Sequence, residues 1–371
     1  MSFWHLLKKG KFVNINVLDR LVCPQPSAGS QCGGFMLLSE SAVKIKISRH
    51  QKDEILEGVL VCKKCDSTFP IICGVLLLIP ELRSYLAEQY SNIVTATIPY
   101  GMSSEMRDYL HATGAHLHSP GATFTSWDSP AGLSAYIGAH YDSDFIETWL
   151  ARMLRLPAGA ATFYDRLVQI AEPALSSRGL FVDIGCNVGG LSWRLAERGH
   201  FVYGMDLSYK AVLTARRILK CHPDRLCSYP VFSVGTSYRN RTLTIPKTYD
   251  NLEFFVGSAA FMPFKPGSID LAACLNMLEL VREPSLLVDE IIKLLKSDGH
   301  LLVVDPYNWR PDRTPMDQWL GVGADSSAAV QKLLSRQCEI ICHDPGLLWI
   351  LRYYERYYQL WSTDCFLARK R

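Results

Sequence analysis

The segment from Leu180 to Asp206 restricts the fold of this chain more than any other. Leu180-Phe181-Val182-Asp183-Ile184 is an apolar run of strand type that empties into a glycine-rich turn, Gly185-Cys186-Asn187-Val188-Gly189-Gly190. Leu191 to Glu197 then opens an amphipathic helix, and a second strand, His200 to Met205, ends in Asp206. Glycine reaches positive φ without a Cβ penalty, so such a turn lets a ligand approach the backbone, and the helix behind it offers unpaired N–H groups. Asp206 lies 21 positions beyond Gly185, where a carboxylate that grips ribose hydroxyls belongs. A charged acceptor makes the stronger bond to a hydroxyl.

The alternation continues downstream. Leu252 to Gly257 reads as a third strand and Ile269 to Cys274 as a fourth, with Asn276 just past its end. Pro284 to Leu295 reads as an amphipathic helix, which Gly299 turns into the strand His300 to Asp305. This order predicts an α/β fold of Rossmann-like type, with a mostly parallel sheet.

The turn spacing separates one nucleoside ligand from another. It reads Gly-x-x-x-Gly-Gly, whereas dinucleotide folds prefer Gly-x-Gly-x-x-Gly. Val-Asp-Ile-Gly-Cys-Asn-x-Gly resembles the first motif of class I S-adenosylmethionine (SAM)-dependent methyltransferases, and Gly-Met-Asp-Leu-Ser resembles the second. Ser258-Ala259-Ala260-Phe261-Met262-Pro263-Phe264 is similar to their adenine-contacting motif, with Ser258 where an acid is usual. The resemblance implies a mostly parallel sheet of seven strands and SAM as cofactor. It implies Asp183, Gly185, Asn187, Gly189, Asp206, Leu207, Ser258, Ala259 and Asn276 as cofactor-binding residues.

A second constellation precedes this fold. Cys62-Lys63-Lys64-Cys65 offers two thiolates on one tight turn, and a second pair would complete a tetrahedral S4 zinc site. Eight residues separate Cys23 from Cys32; Cys-Pro and Gln-Cys-Gly-Gly form one knuckle if residues 25–30 are a polar insert. The alternative is that Cys23 and Cys32 are small core residues. A redox role for Cys62 and Cys65 lacks a thioredoxin-like strand–helix context. With Phe69-Pro70-Ile71, Gly74-Val75 and Leu78-Ile79-Pro80, this small β-rich domain resembles the short zinc-ribbon family that activates RNA and protein methyltransferases. In that family the module is a partner or scaffold, which implies a protein partner here.

Composition bounds the rest. The 371 residues are 48% apolar and 20% charged, and a net charge of +3 gives no global case for nucleic acid. The first residues, MSFWHLLKKGKF, lack an apolar core of signal-peptide length, and the aliphatic run Val75 to Ile79 is too short to cross a bilayer. Twelve cysteines in a chain of this kind suggest a reducing compartment and metal before disulfides, so the sequence reads as cytoplasmic. The divisions expected are a zinc-ribbon-like domain over 1–82, a linker and helical cap over 83–140, and a methyltransferase domain over 141–371.

The acceptor is less marked. The Asn/Asp-Pro-Pro-aromatic motif that grips a flipped base is absent, since Leu275-Asn276-Met277-Leu278 follows the fourth strand. Tyr307, Asn308 and Trp309 follow the fifth strand, at the sheet edge where substrates bind in such folds. Tyr136 to Tyr141, the insertion 221–251, Pro306-Tyr307-Asn308-Trp309, Trp319-Leu320-Gly321 and Pro345 to Arg352 together resemble the methyltransferase module of ovothiol synthases. That resemblance implies a small-molecule acceptor, a heteroaromatic nitrogen of a histidine or thiol-histidine, or a thiol. Neutral imidazole is a nucleophile near pH 7, so alignment matters more than a strong base.

Catalytic candidates are His140, Tyr141, Tyr307 and Arg352, with Glu355 as a further orienting residue. Tyr353, Tyr354, Tyr357 and Tyr358 fall at helical spacing and predict a helix packing aromatics onto the sheet; an aromatic box is the sharper reading. His116 and His118 are weaker metal candidates. The competing readings are an RNA- or protein-directed enzyme, with Lys63, Lys64, Arg239 and Arg241 on phosphates, and a SAM-binding scaffold without activity.

Overall fold

The computed structural model describes residues 20–27, 30–39, 43, 46–47, 55–117, 126–156, 162–175, 178–219, 227–243 and 249–371. By packing, the chain divides into two compact units. One comprises Met1–Phe124, Met205–Thr214 and Glu253–Lys265, and the other Thr125–Gly204, Ala215–Leu252 and Pro266–Arg371.

The first unit opens with a tiny antiparallel pair, β1 (Pro26–Ser27) and β2 (Ser30–Gln31). β3 (Met36–Ser39) and β4 (Lys46–Ile47) both pair antiparallel with β5 (Ile55–Cys62); β6 (Thr68–Ile72) follows β5, and β7 (Val75–Leu78) follows β6. Every residue of β7 is buried, as a continuous apolar run covered on both faces should be. β7 then pairs parallel with β12 (Leu252–Gly257), Phe255 opposite Leu76 and Gly257 opposite Leu78. Two further stitches tie the same segments: Val22 N–H donates to Pro263 O at 2.9 Å, and Leu21 bridges Phe264. Helices α1 (Leu82–Thr97) and α2 (Ser104–Thr113) complete this part, the second capped by the Ser103 hydroxyl on Met106 N–H.

In the second unit β8 (Leu180–Ile184), fully buried, pairs parallel with β13 (Ile269–Leu275), and β13 pairs parallel with β14 (Leu295–Asp305). β9 (Phe201–Asp206) lies beside β8 on its other side. β16 (Tyr357–Lys370) runs antiparallel to β14, and β15 (Cys338–Tyr354) antiparallel to β16. Around these strands stand α3 (Pro130–Tyr141), α4 (Thr148–Met153), α5 (Phe163–Ala171), α6 (Gly190–Glu197), α8 (Pro284–Leu294) and α9 (Ser326–Leu334); α7 (Tyr209–Leu219) follows β9.

The order is that of a mixed α/β methyltransferase sheet, and two expectations need correction. The strands exceed seven, because β12, one of the seven, is extended by β7, β6, β5 and β3. The tyrosines at 353–358 are not helical. Tyr354 stands opposite Tyr357, and Arg352 opposite Tyr358, in the β15–β16 hairpin. A three- or four-residue spacing across a tight turn brings side chains together as a helix does, which is why the pattern misled; Tyr353 and Tyr357 stack at 5.4 Å. The insertion also holds a hairpin, β10 (Cys227–Val234) with β11 (Ser237–Leu243), turned at Gly235 with φ +55°.

Candidate functional site

The glycine turn joins β8 to α6. Gly185, Asn187 and Gly189 all have positive φ, at 74°, 49° and 84°, the left-handed region that glycine and asparagine tolerate best. A Cβ on Gly185 would run into Met277 Sδ and come within 2.7 Å of its Cγ, so the residue after Asn276 seals one side of the turn. A Cβ on Gly190 would lie 2.6 Å from His140 Nδ1 and 2.8 Å from its Cβ, so the end of α3 seals another.

Asp183 is buried, and its Oδ2 accepts from Ser192 N–H at 3.1 Å and Ser192 Oγ–H at 2.6 Å. A carboxylate on the first turn of α6 gains from the helix dipole. The same bonds hold the strand end against the helix. Asn276 has φ +53°, donates its N–H to Val304 O at 2.7 Å, and buries an Oδ1 with no partner among the described residues.

Two catalytic candidates turn out to grip this turn. His140 Nδ1 accepts from Gly190 N–H at 2.8 Å, its Nε2 meets the Tyr164 hydroxyl, and its carbonyl accepts from Arg194 Nη1 at 2.9 Å. Burial, then the Arg194 charge, holds its pKa well below the ordinary value, so the ring is neutral with its proton on Nε2. Tyr141 donates its hydroxyl to Val188 O, inside the turn. The other two candidates are also engaged. Arg352 is buried, paired with Glu147 at 2.7 Å and donating to Phe145 O at 3.2 Å. Tyr307 donates its hydroxyl to Asp364 Oδ2 at 2.7 Å. Glu355 holds Arg239 at 2.9 Å, and Arg241 pairs with Asp142 at 2.7 Å, so the arginines read as phosphate contacts have internal partners.

In the first unit Asp206 Oδ1 accepts from Ser208 N–H at 2.8 Å. The carbonyl of Leu207 accepts from the Tyr85 hydroxyl at 2.9 Å, while its side chain is exposed. Tyr209, opening α7, donates its hydroxyl to Ile72 O at 2.9 Å. Ser258 Oγ accepts from Ala260 N–H at 3.2 Å, which closes the turn after β12 beside the half-exposed Ala259.

The four cysteines converge. The Sγ atoms of Cys23, Cys32, Cys62 and Cys65 all lie within 4.8 Å of one another, Cys23 to Cys65 at 3.6 Å and Cys32 to Cys62 at 3.7 Å. These separations are far beyond an S–S bond. The β1–β2 hairpin folds the insert away, Cys32 N–H donating to Gln25 O at 2.7 Å, so Cys23 and Cys32 act as one knuckle. A Cβ on Gly34 would lie 2.7 Å from Cys62 Sγ, so only glycine fits there. Lys64 donates Nζ to Cys32 O at 2.7 Å. His116 holds His111 O at 2.8 Å, and His118 lies outside the described residues.

Two acidic arrangements carry no signature in the sequence. Asp305, fully buried at the end of β14, and Glu279 both have carboxyl pKa values raised by burial, Asp305 further by the Glu279 charge, an arrangement that favours a proton held on the pair. Asp305 accepts from Leu278 and Tyr307 N–H, and Glu279 from Asn308 N–H, which ties the loops after β13 and β14 together. Asp364 Oδ1 also meets His343 Nε2 at 2.6 Å, a pairing visible only once the β15–β16 register is known.

Among the described residues no helix is long and apolar enough to cross a membrane. Residues 182–303 match the family model described as a methyltransferase domain. A ubiquinone biosynthesis O-methyltransferase of Cupriavidus pinatubonensis is 30% identical over 122 residues, covering 33% of this chain and 39% of that protein. The chain spans less than half the length of the curated relatives it matches. A SAM-dependent methyltransferase structure from Methanosarcina mazei aligns at 19% identity and TM-score 0.38, over 54% of this chain and 96% of that one. A chain from the Haloferax volcanii complex of the Trm112 methyltransferase activator with a methyltransferase aligns at 17% identity and TM-score 0.37, over 56% and 92%.

Proposed function

We propose that this chain, which carries a class I SAM-dependent methyltransferase domain over residues 182–303, transfers a methyl group from SAM to a small molecule. The observation that carries this reading is the glycine turn, whose three positive φ angles and tight contacts with Met277 and His140 keep its backbone open and fixed. Gly185, Asn187 and Gly189 present backbone to the cofactor, and Asp183 keeps the helix start in place. Asp206 takes the ribose hydroxyls, Ser258 and Ala259 the adenine, and the buried Oδ1 of Asn276 awaits a donor. His140 and Tyr141 position the turn.

The cysteine cluster fits zinc. A tetrahedral site with Zn–S of about 2.3 Å has S–S edges of about 3.8 Å, close to the 3.6 and 3.7 Å separations here. Cys23, Cys32, Cys62 and Cys65 would hold such an ion as a structural staple for the domain over 1–82. Residues 83–140 then act as linker and cap to a catalytic region over 141–371, in a cytoplasmic protein.

For the acceptor we retain the heteroaromatic nitrogen of a histidine or thiol-histidine, or a thiol. The O-methyltransferase relatives favour a second reading, a hydroxyl. RNA is disfavoured, because Arg239 and Arg241 are already paired. The test is to incubate the full chain with labelled SAM and a panel of histidine, thiol-histidines, catechol, peptides and total RNA. Label in RNA alone refutes a small-molecule acceptor, and no SAM binding by calorimetry refutes the enzyme.

A further inference from the structure

His343 is a candidate of a different kind from those the sequence offered. Its Nε2 lies 2.6 Å from Asp364 Oδ1, and the other Asp364 oxygen accepts from the Tyr307 hydroxyl at 2.7 Å. Asp364 is buried and stands opposite Asp305 in the β14–β16 register, at the carboxyl end of β14. Tyr307, two residues on, is turned back with φ +56° and its N–H on Asp305. The His343 side chain is 31% exposed, and its ring lies on Phe366 at 4.1 Å with planes 7° apart. The imidazole is therefore fixed in plane and in orientation. With Nε2 turned to the carboxylate, Nδ1 is the ring's remaining lone pair, and no described residue donates to it.

An aromatic rack adjoins this relay. Tyr307 and Trp309 lie 6.3 Å apart with planes 20° apart, and Trp309 and Trp319 6.4 Å apart at 16°. Both indole N–H groups are committed, Trp309 to Ser326 Oγ at 3.1 Å and Trp319 to Thr314 O at 2.8 Å. Anchored edges hold the three half-buried rings as one stacked aromatic wall, whose outer surface suits a planar aromatic ligand.

We propose that His343, oriented by Asp364 and Tyr307, is the general base for an aromatic hydroxyl acceptor held beside this rack. The proposal rests on the methyltransferase reading and selects the hydroxyl acceptor within it. A neutral imidazole nucleophile needs no base before attack, whereas a hydroxyl must lose its proton. In the step, the acceptor oxygen forms the O–CH3 bond as the S–CH3 bond of the sulfonium donor breaks, its electron pair remaining on sulfur. The hydroxyl proton passes to His343 Nδ1. Asp364 neutralises the imidazolium, which returns the proton to water, following the logic by which a buried carboxylate orients and supports a catalytic histidine. Asp305 and Asp325, both acidic, also act on Tyr307.

The test compares two probes, catechol and 4-nitrocatechol, the second already ionised near neutral pH. His343→Gln keeps an amide donor toward Asp364 and cannot take the proton. Its kcat with catechol should fall about a hundredfold or more, while kcat with 4-nitrocatechol stays within a few-fold. Asp364→Asn should show the same selectivity in weaker form. Unchanged SAM titration and thermal melting establish that each variant is folded. Equal losses on both probes, or no loss on catechol, overturn the proposal. Wild-type protein that binds SAM and methylates neither probe overturns the hydroxyl acceptor alone, whereas failure to bind SAM overturns the methyltransferase reading beneath it.

Discussion

Gly190→Ala is the sharpest single test of how the glycine turn is held. Gly190 is not among the residues with positive φ, so alanine meets no backbone penalty there. The conflict is steric: the new methyl would sit 2.6 Å from His140 Nδ1 and 2.8 Å from its Cβ. Neither group can yield easily, because the imidazole is clamped by the Gly190 N–H, the Tyr164 hydroxyl and burial on all sides. Overpacking of this kind costs about 1–3 kcal/mol. Displacing the ring also strands the Gly190 N–H, and a buried donor without its acceptor costs about 1–3 kcal/mol. The two overlap, so a loss of about 2–4 kcal/mol is expected, seen as a fall in Tm of roughly 5–15 °C.

Urea and thermal unfolding measure the stability, and calorimetric titration with SAM measures the turn's function, which should weaken at least tenfold. His140→Ala removes the obstacle. In that background Gly190→Ala should cost less by about 1 kcal/mol or more, the coupling expected of two residues in contact. A Gly190→Ala protein within about 0.5 kcal/mol of wild type, or strict additivity in the double variant, refutes the account.

Asp206→Ala should weaken SAM binding by about 10–100-fold, the worth of charge-assisted bonds to two hydroxyls; an unchanged titration displaces the ribose assignment. Chelation, or Cys62→Ser, should release one zinc per chain by elemental analysis and lower Tm; a chain purified metal-free with the same Tm removes zinc from the account. For the Asp305–Glu279 pair the folded pKa values are raised, so their contribution is full below the ordinary values of 3.8 and 4.5 and is lost as pH rises through the raised ones. Glu279→Gln keeps an oxygen for Asn308 N–H and should flatten that decline, which runs at up to about 1.4 kcal/mol per pH unit for one proton; parallel pH–stability curves refute proton sharing.

What the sequence disclosed follows from how local each signal is. The strand–turn–helix around Gly185 was legible because every constraint on it, apolar run, glycine and helix start, lies within one stretch of chain. The same holds for Cys62 and Cys65. Cys32 was harder, since its place depends on the β1–β2 hairpin that shortens the path from Cys23. The roles of His140 and Tyr141 were not legible at all. In the sequence both are catalytic candidates, and only tertiary packing shows them bonded to Gly190 and Val188. Asp364 and His343 lie 21 residues apart and meet through a hairpin whose register shifts twice between them and the turn, a feature no periodicity records.

The first unit contains its own reason for including Asp206 and Ser258. β12 is buried along its whole length and shares a parallel ladder with β7, so the strand that leads into Ser258 is completed by the cysteine-bearing segment. Tyr85 holds the Leu207 carbonyl, Ile72 receives Tyr209, and Val22 holds Pro263. Each stretch bearing a cofactor candidate in this unit is thus bonded to residues 20–85. Deleting residues 1–82 would expose a row of unpaired N–H and C=O groups on an apolar strand, an open template for pairing with other chains. The truncated chain should therefore aggregate on expression, and any soluble fraction should bind SAM more weakly than the full chain. A truncated protein that is monodisperse by light scattering and matches the full chain in SAM titration would show that β12 and the Asp206 turn fold without the cysteine module.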